Sequence, residues 1–245
     1  MQLGGTPRVD ASGDIAEAVR AGAAALGHRP AVTVLHPSAR FEQSAASIAN
    51  WAAKGAHLLE LDHLVGPGGR VGVLAPPCWT TAGVALAAWW LGAAVVLDQP
   101  GAVNVLHGDG EVDAHGRLVA LDGYGIDPST ALVVGDRLDG TASQEVGLAG
   151  WTREAQPLPD HPPAARAGAT ALALVLGERG WDQGELLALA REPQEGTVGV
   201  EAGVTDKVTA LVATALRPLV TGAPTVVLRG VPRQAADPER VSAWL

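Results

Sequence analysis

Apolar residues recur along the chain in short blocks separated by turn residues, and the period of each block sets the element it predicts. Between Asp14 and Leu26, Ile15, Ala18, Val19 and Leu26 fall at helical spacing, and Gly27 ends the segment. Residues 31–35, Ala-Val-Thr-Val-Leu, read as a short buried strand. Ser44 is a good N-cap for a helix over 44–59, with Ala45, Ile48, Ala49, Ala52, Ala56 and Leu59 on one face. Gly66-Pro67-Gly68-Gly69 cannot continue that helix and makes a tight turn. A strand over 71–74 follows. Thr80 or Thr81 then caps a helix that runs to Trp90, Gly92 closes it in the left-handed conformation, and 93–97 is a second strand. Strand, helix and strand in that order make a βαβ unit. The fold class is α/β.

Beyond this unit the pattern is less regular. Residues 103–107, 117–121 and 131–134 read as strands separated by Gly/Asp turns of the hairpin kind. Residues 151–167 carry Pro157, Pro159, Pro162 and Pro163, and are read as a linker or a crossing between subdomains. After them come a strand over 171–176 and a helix over 183–190 that buries Leu186, Leu187 and Leu189. Val208, Leu211, Val212, Ala215, Leu216 and Leu219 form an apolar stripe on a helix kinked or ended near Pro218. Gly222 precedes a strand over 225–228, and Asp237-Pro238-Glu239 has the form of a helix start.

Composition narrows the class. An apolar content of 47% against 18% charged residues belongs to a globular chain, and 245 residues suffice for one large or two small domains. The net charge of -9 disfavours nucleic acid and anionic membrane as partners. Lys54 and Lys207 are the only lysines, an arginine skew that points to a GC-rich genome rather than to a binding patch. One cysteine, Cys78, excludes an internal disulfide and a cysteine-built zinc site. The first residues lack a basic n-region and a continuous apolar stretch, and the apolar run over 84–97 is too short to span a bilayer. These features predict a cytoplasmic protein.

Residues 40–97 carry the most specific pattern. Gly66-Pro67-Gly68-Gly69-Arg70-Val71, then Pro76-Pro77, then the helix over 81–90, then Gly92-Ala93-Ala94 resemble in order the opening module of adenylate-forming enzymes, the acyl-CoA synthetase and AMP-dependent ligase superfamily. Gly184-Glu185-Leu186-Leu187-Ala188 and Leu216-Arg217-Pro218-Leu219-Val220-Thr221-Gly222-Ala223, followed by Val226-Val227-Leu228, are similar to later parts of the same superfamily. More narrowly, the chain resembles a group of short actinobacterial proteins related to these enzymes. The resemblance implies two abutting mixed α/β subdomains: a first over 1–150, the proline-rich crossing over 151–167, and a second, shortened one over 168–245.

The resemblance also implies where chemistry belongs. Such an enzyme holds ATP phosphates in a Gly/Ser/Thr loop with a lysine, expected just before the helix at Gly184. Gly168-Ala169-Thr170 keeps one Gly and one Thr but has neither the following Gly nor the Lys. The family's C-terminal lid with its catalytic lysine has no counterpart here, and Lys207 matches a basic residue that opens a strand in the family, which is not the catalytic position. No catalytic residue is therefore assigned. ATP, AMP or CoA is expected as a ligand only if the family cleft survives.

Other constellations are weaker. His107, Asp109, Glu111, Asp113 and His115 alternate, so an extended chain would set five metal ligands on one face. The series departs from the EF-hand at Ala114 and Ala120, and a solvated acidic turn is the better reading, so no metal is assigned. Cys78 precedes a helix start, where a thiolate would be favoured, but it has no histidine nearby in sequence and reads as a small buried residue. G-x-S-x-G and G-x-G-x-x-G do not occur. Trp51 and Trp79 join Trp89 and Trp90, which leave different sides of their helix; at least one of that pair packs in the core. The expected function is a degenerate, truncated relative of the AMP-dependent ligases that binds a nucleotide or acyl ligand. A divergent adenylating enzyme with its lid supplied in trans, and an interaction module that forms a homo-oligomer or binds a protein partner, are the alternatives.

Overall fold

The computed structural model describes residues 14–37, 39–73, 77–97, 105–107, 132–134, 155–162 and 167–245. Their strands form two sheets. One has five strands in the order β11-β9-β10-β1-β2, and the other six in the order β6-β5-β3-β4-β7-β8. In chain order the strands are β1 (Pro30–His36), β2 (Ala39–Ser44), β3 (Arg70–Val73), β4 (Ala94–Leu97), β5 (Val105–His107), β6 (Leu132–Val134), β7 (Leu172–Leu176), β8 (Arg179–Asp182), β9 (Thr197–Glu201), β10 (Thr225–Leu228) and β11 (Val241–Trp244). The helices are α1 (Ile15–Leu26), α2 (Ala45–His63), α3 (Trp79–Trp90), α4 (Gln183–Ala190), α5 (Lys207–Ala215) and α6 (Arg217–Thr221). The architecture is mixed α/β with two sheets, as the resemblance implies. Each sheet takes strands from both sides of residues 151–167.

Helix α3 is the keystone of the core. From Thr80 to Trp90 every residue is buried, and the helix touches β3 and β4 in one sheet and β1 in the other. A helix that is apolar all round has no face for water and belongs in an interior. Its alanines, Ala82, Ala85, Ala87 and Ala88, permit close approach to α2, while Trp89 fills the space toward β7 and donates from Nε1 to Ala173 O at 2.7 Å. Trp90 is buried as well, so both tryptophans of the pair pack inside.

Local signals explain most boundaries. Asp14 Oδ1 accepts from Ala16 N and starts α1, and Ser44 Oγ accepts from Ser47 N and starts α2. Asp182 and Glu185 make a reciprocal capping box at α4. Gly92 sits at φ 73° just after α3, the left-handed residue the sequence requires there. Pro218 cannot continue α5, so the chain breaks at Leu216 and resumes as the short α6.

Several expectations are corrected. The cap of α3 is Cys78 rather than Thr80 or Thr81: its Sγ accepts from Thr81 N. Strands β5 and β6 pair in parallel, and the hairpin turns expected between them lie outside the described residues. Asp237-Pro238-Glu239 ends a 3-10 helix (Arg233–Glu239) rather than starting an α-helix, because Arg240 turns left-handed at φ 54° and the chain enters β11. The apolar pattern does not mark strands β2, β8, β9 and β11. The strand expected over 117–121 lies outside the described residues.

The proline-containing segment runs against α2. Lys54 Nζ donates to Gln156 O and Leu158 O, His161 N donates to Ala53 O, and the buried His161 ring meets Glu60 at 2.8 Å. At the far edge, Arg40 on β2 donates through Nε and Nη2 to the Glu239 carboxylate. That hydrogen-bonded pair holds the Glu239 pKa below the ordinary carboxylate value, so its contribution is present at neutral pH and lost as pH falls through the lowered pKa. Wild type is expected to melt above Glu239→Gln at pH 7, with the gap closing as the pH falls below the ordinary carboxylate value and through the lowered one. Melting curves of both across pH 3–7 check this.

Candidate functional site

Parallel strands β3 and β4 end side by side at Val73 and Leu97. Across from them α5 begins, and α3 begins beside them. Between these ends lies a cleft of about 440 Å³, lined by Val73, Pro77, Thr81 and Leu97 on one side and by residues 203–207, Ala210 and Leu211 on the other. A crevice beyond the carboxyl ends of parallel strands is the usual ligand position in open α/β folds, and this volume lies within the range of small-molecule sites.

The wall is mainly apolar. Val73, Leu97, Ala210 and Leu211 are buried core residues whose surfaces face the cleft, and Val204 stands 73% exposed at its lip. The 203–205 loop is tied down: Thr205 Oγ1 donates to Leu245 O at 3.0 Å and accepts from Glu201 N at 3.2 Å. Gly203 at φ 86° supplies the turn. Asp206 caps α5 by accepting from Thr209 N at 3.0 Å, and both Asp206 and Lys207 are exposed. Lys207 therefore opens a helix, not the strand that the resemblance assigned to it. The polar contribution is the hydroxyls of Thr81 and Thr205 and the charged Asp206 and Lys207 at the mouth.

Cys78 lies behind this wall and is 2% exposed. Its Sγ is 2.8 Å from Thr80 Oγ1 and 3.2 Å from Thr81 Oγ1. The thiol caps the start of α3, and the residue is small and buried as expected. Trp51 and Trp79 stack at a tilt with centroids 6.0 Å apart, in packing contact with the core. Among the described residues no group of three or more His, Cys, Asp and Glu is placed to hold a metal. The alternating series His107 to His115 lies outside the described residues, apart from the backbone of His107 in β5.

No family model matches the chain. In sequence it is similar to a TIGR03089 family protein of Mycobacterium tuberculosis, 39% identical over 108 residues, which cover 39% of this chain and 44% of that protein. In structure it is similar to the N-terminal domain of FACL13 from Mycobacterium tuberculosis, with a TM-score of 0.69, 14% identity, and coverage of 94% of this chain and 62% of the other. This is the fold of the N-terminal domain of adenylate-forming enzymes. The adenylate-forming fold is shared too by a long-chain-fatty-acid-CoA ligase from Archaeoglobus fulgidus, at TM-score 0.68 and 14% identity, covering 96% of this chain and 51% of that one. A fatty acyl-adenylate ligase from L. pneumophila, in complex with acyl adenylate and pyrophosphate, gives TM-score 0.67 and 12% identity, with coverage of 95% and 44%. The chain spans less than two thirds of each of these proteins.

Within the adenylate-forming fold, the segment expected to hold phosphates has a definite form. Gly168-Ala169-Thr170 is a turn with Ala169 and Thr170 exposed, closed by Ala171 N donating to Gly168 O. Next come β7 and β8, an antiparallel pair whose register, Leu176 opposite Arg179, leaves only Gly177 and Glu178 as the connecting turn. Then Asp182 caps α4 directly. The turn is thus two residues long, and Glu178 in it is exposed.

Proposed function

We propose that this chain is a ligand-binding relative of the AMP-dependent acyl-CoA synthetases and ligases, of the same group as the TIGR03089 family protein, and that it does not adenylate its ligand. The observation that carries the reading is the combination of an open apolar cleft with a two-residue turn between β7 and β8. The first supports retention of a site for an organic ligand. The second supports loss of the phosphate cradle. The ligand class follows from the wall: an apolar body against Val73, Leu97, Ala210 and Leu211, with one polar end toward Thr81 and the mouth. An acyl or aryl carboxylic acid has this form, and the neighbouring folds include proteins named for acyl ligands. Burial of an eight-carbon chain, at about 0.8 kcal/mol per methylene, would contribute about 6 kcal/mol toward binding.

The test pairs two measurements on the whole chain. A series of straight-chain and aromatic carboxylic acids is expected to raise the melting temperature with concentration, by several degrees at saturating ligand. ATP with Mg²⁺ and the same acids is expected to release no pyrophosphate above the protein-free rate. Pyrophosphate release dependent on both ATP and acid would establish the divergent-enzyme alternative. No shift with any acid, in a chain that melts cooperatively, would sink the binding reading and leave an interaction module.

A further inference from the structure

The lip of the cleft is fastened to the edge of its sheet. β11 is the edge strand beside β9, and its parallel register slips between Val241 and Ala243. The end of β11 is nevertheless held closely. Leu245 N donates to Gly199 O at 3.0 Å, and the Trp244 ring lies on Gly199 where any Cβ would overlap it. Arg233 Nε donates to the Glu201 carboxylate at the end of β9, and its guanidinium carbon stands 4.7 Å from the centroid of the Trp244 ring.

Beyond β9 the chain turns into residues 203–205. Val204 N and Thr205 N both donate to Glu201 O at 3.0 Å, bonds that shape the turn within itself. The Thr205 hydroxyl reaches further. Its oxygen accepts from Glu201 N, and its one proton goes to Leu245 O at the end of β11. Thr205 and Val204 both line the cleft, whereas Leu245 and Gly199 do not. Val204 is 73% exposed, so an apolar body in the cleft beside it would take its side chain out of water. Where Val204 stands therefore matters to a ligand, and the Thr205 hydroxyl joins that position to β11.

We propose that Thr205 is a positioning residue of the cleft: its bond to Leu245 lets the docking of β11 on β9 set the lip, so that cleft occupancy and β11 docking favour each other. Linkage makes the relation reciprocal, because whatever docked β11 adds to ligand affinity the ligand adds to the docking of β11. The coupling to a ligand rests on the carboxylic-acid reading of the cleft, and the tie between lip and strand does not. Gly199 offers a handle on that tie from outside the cleft. In Gly199→Ala the new methyl would meet the Trp244 ring, and the ring and the strand that carries it must shift.

The experiment is amide hydrogen exchange of the full chain, free and with saturating octanoate, in wild type, Thr205→Val, Thr205→Ser and Gly199→Ala. In the free chain Thr205→Val is expected to lose protection about fivefold at positions 204, 205 and 245, the weight of one hydrogen bond, while the amides of β4 keep theirs. Thr205→Ser retains the hydroxyl and is expected to stay near wild type. Gly199→Ala is expected to lose protection at 204 and 205 although it touches no cleft residue. Octanoate is expected to raise protection at Leu245 in wild type and Thr205→Ser, and to leave it unchanged in Thr205→Val. Equal protection at 204, 205 and 245 in free wild type and free Thr205→Val overturns the proposal, as does an octanoate effect at Leu245 of the same size in both. If octanoate leaves the wild-type melting temperature unmoved, the acid reading of the cleft fails by itself, and the free-chain comparison still decides the tie.

Discussion

Gly22→Ala is expected to destabilise the chain by about 3 kcal/mol or more, although alanine is the better helix former. In an isolated helix the substitution would add about 1 kcal/mol of stability. Here α1 lies against α6, and a Cβ on Gly22 would stand 2.1 Å from Leu219 O and 2.8 Å from Leu219 C. Both atoms are backbone, so no rotamer change relieves the overlap. The two helices would have to separate along a seam that also buries Ile15, Ala18 and Val19. Overpacking of this kind costs one to several kcal/mol, and for a chain of this size each kcal/mol lowers the melting temperature by about 2–4 °C. A fall of about 6–12 °C in Gly22→Ala is the result expected by calorimetry. An unchanged or raised melting temperature would show that α1 and α6 are not in this contact.

The second large effect belongs to the cleft. Ala210 lies on the cleft side of α5, one residue before Leu211 and opposite the ends of β3 and β4. A phenyl ring in place of its methyl would enter the cleft of about 440 Å³ rather than a packed interior. Ala210→Phe is therefore expected to fold and to melt within about 1 kcal/mol of wild type. Its affinity for carboxylic acids is expected to drop more than tenfold, because the ring takes the volume that the apolar body of the ligand would fill. Leu211→Ala enlarges the same wall, and is expected to shift preference toward bulkier acids while lowering stability by about 2–3 kcal/mol. A set of acids titrated against both variants checks the pair. Equal affinities in wild type and Ala210→Phe would place the ligand elsewhere.

Much of the fold is legible in the residues because periodicity and caps agree there. The Ala/Ile/Leu stripe after Ser44 and the apolar run over 81–90 both read as helices, Gly92 follows the second at φ 73°, and Gly222 closes α6 at φ 75°. What the sequence hides are strands whose pattern is set by their neighbours. β2 reads Ala-Arg-Phe-Glu-Gln-Ser, a polar edge strand that exists because β1 offers it an antiparallel partner. β9 contains Gly199, where a side chain would meet the Trp244 ring, so its glycine reflects packing against β11 rather than a turn. β8 and β11 are four residues long and bring one tryptophan each, too short for periodicity to register.

The candidate site was legible only in pieces. Val73 and Leu97 read as strand residues and Leu211 as part of a helical stripe; that their surfaces meet depends on two sheets coming together. The 203–205 loop gives a weak signal, Gly203 followed by Asp206 as a cap three residues before Thr209, and this could have placed the start of α5 at Lys207. The resemblance to adenylate-forming enzymes anticipated the fold, whereas the two-residue turn at Gly177 and Glu178 is visible only in the strand register.

The measurement that bears most directly on the central claim is calorimetric titration of a medium-chain carboxylic acid into wild type and Ala210→Phe, alongside ATP with Mg²⁺ into wild type. One acid site per chain is expected in wild type, with the negative heat-capacity change of apolar burial, loss of that site in Ala210→Phe, and no heat from ATP. Binding of ATP with an affinity that rises when the acid is present would contradict the account.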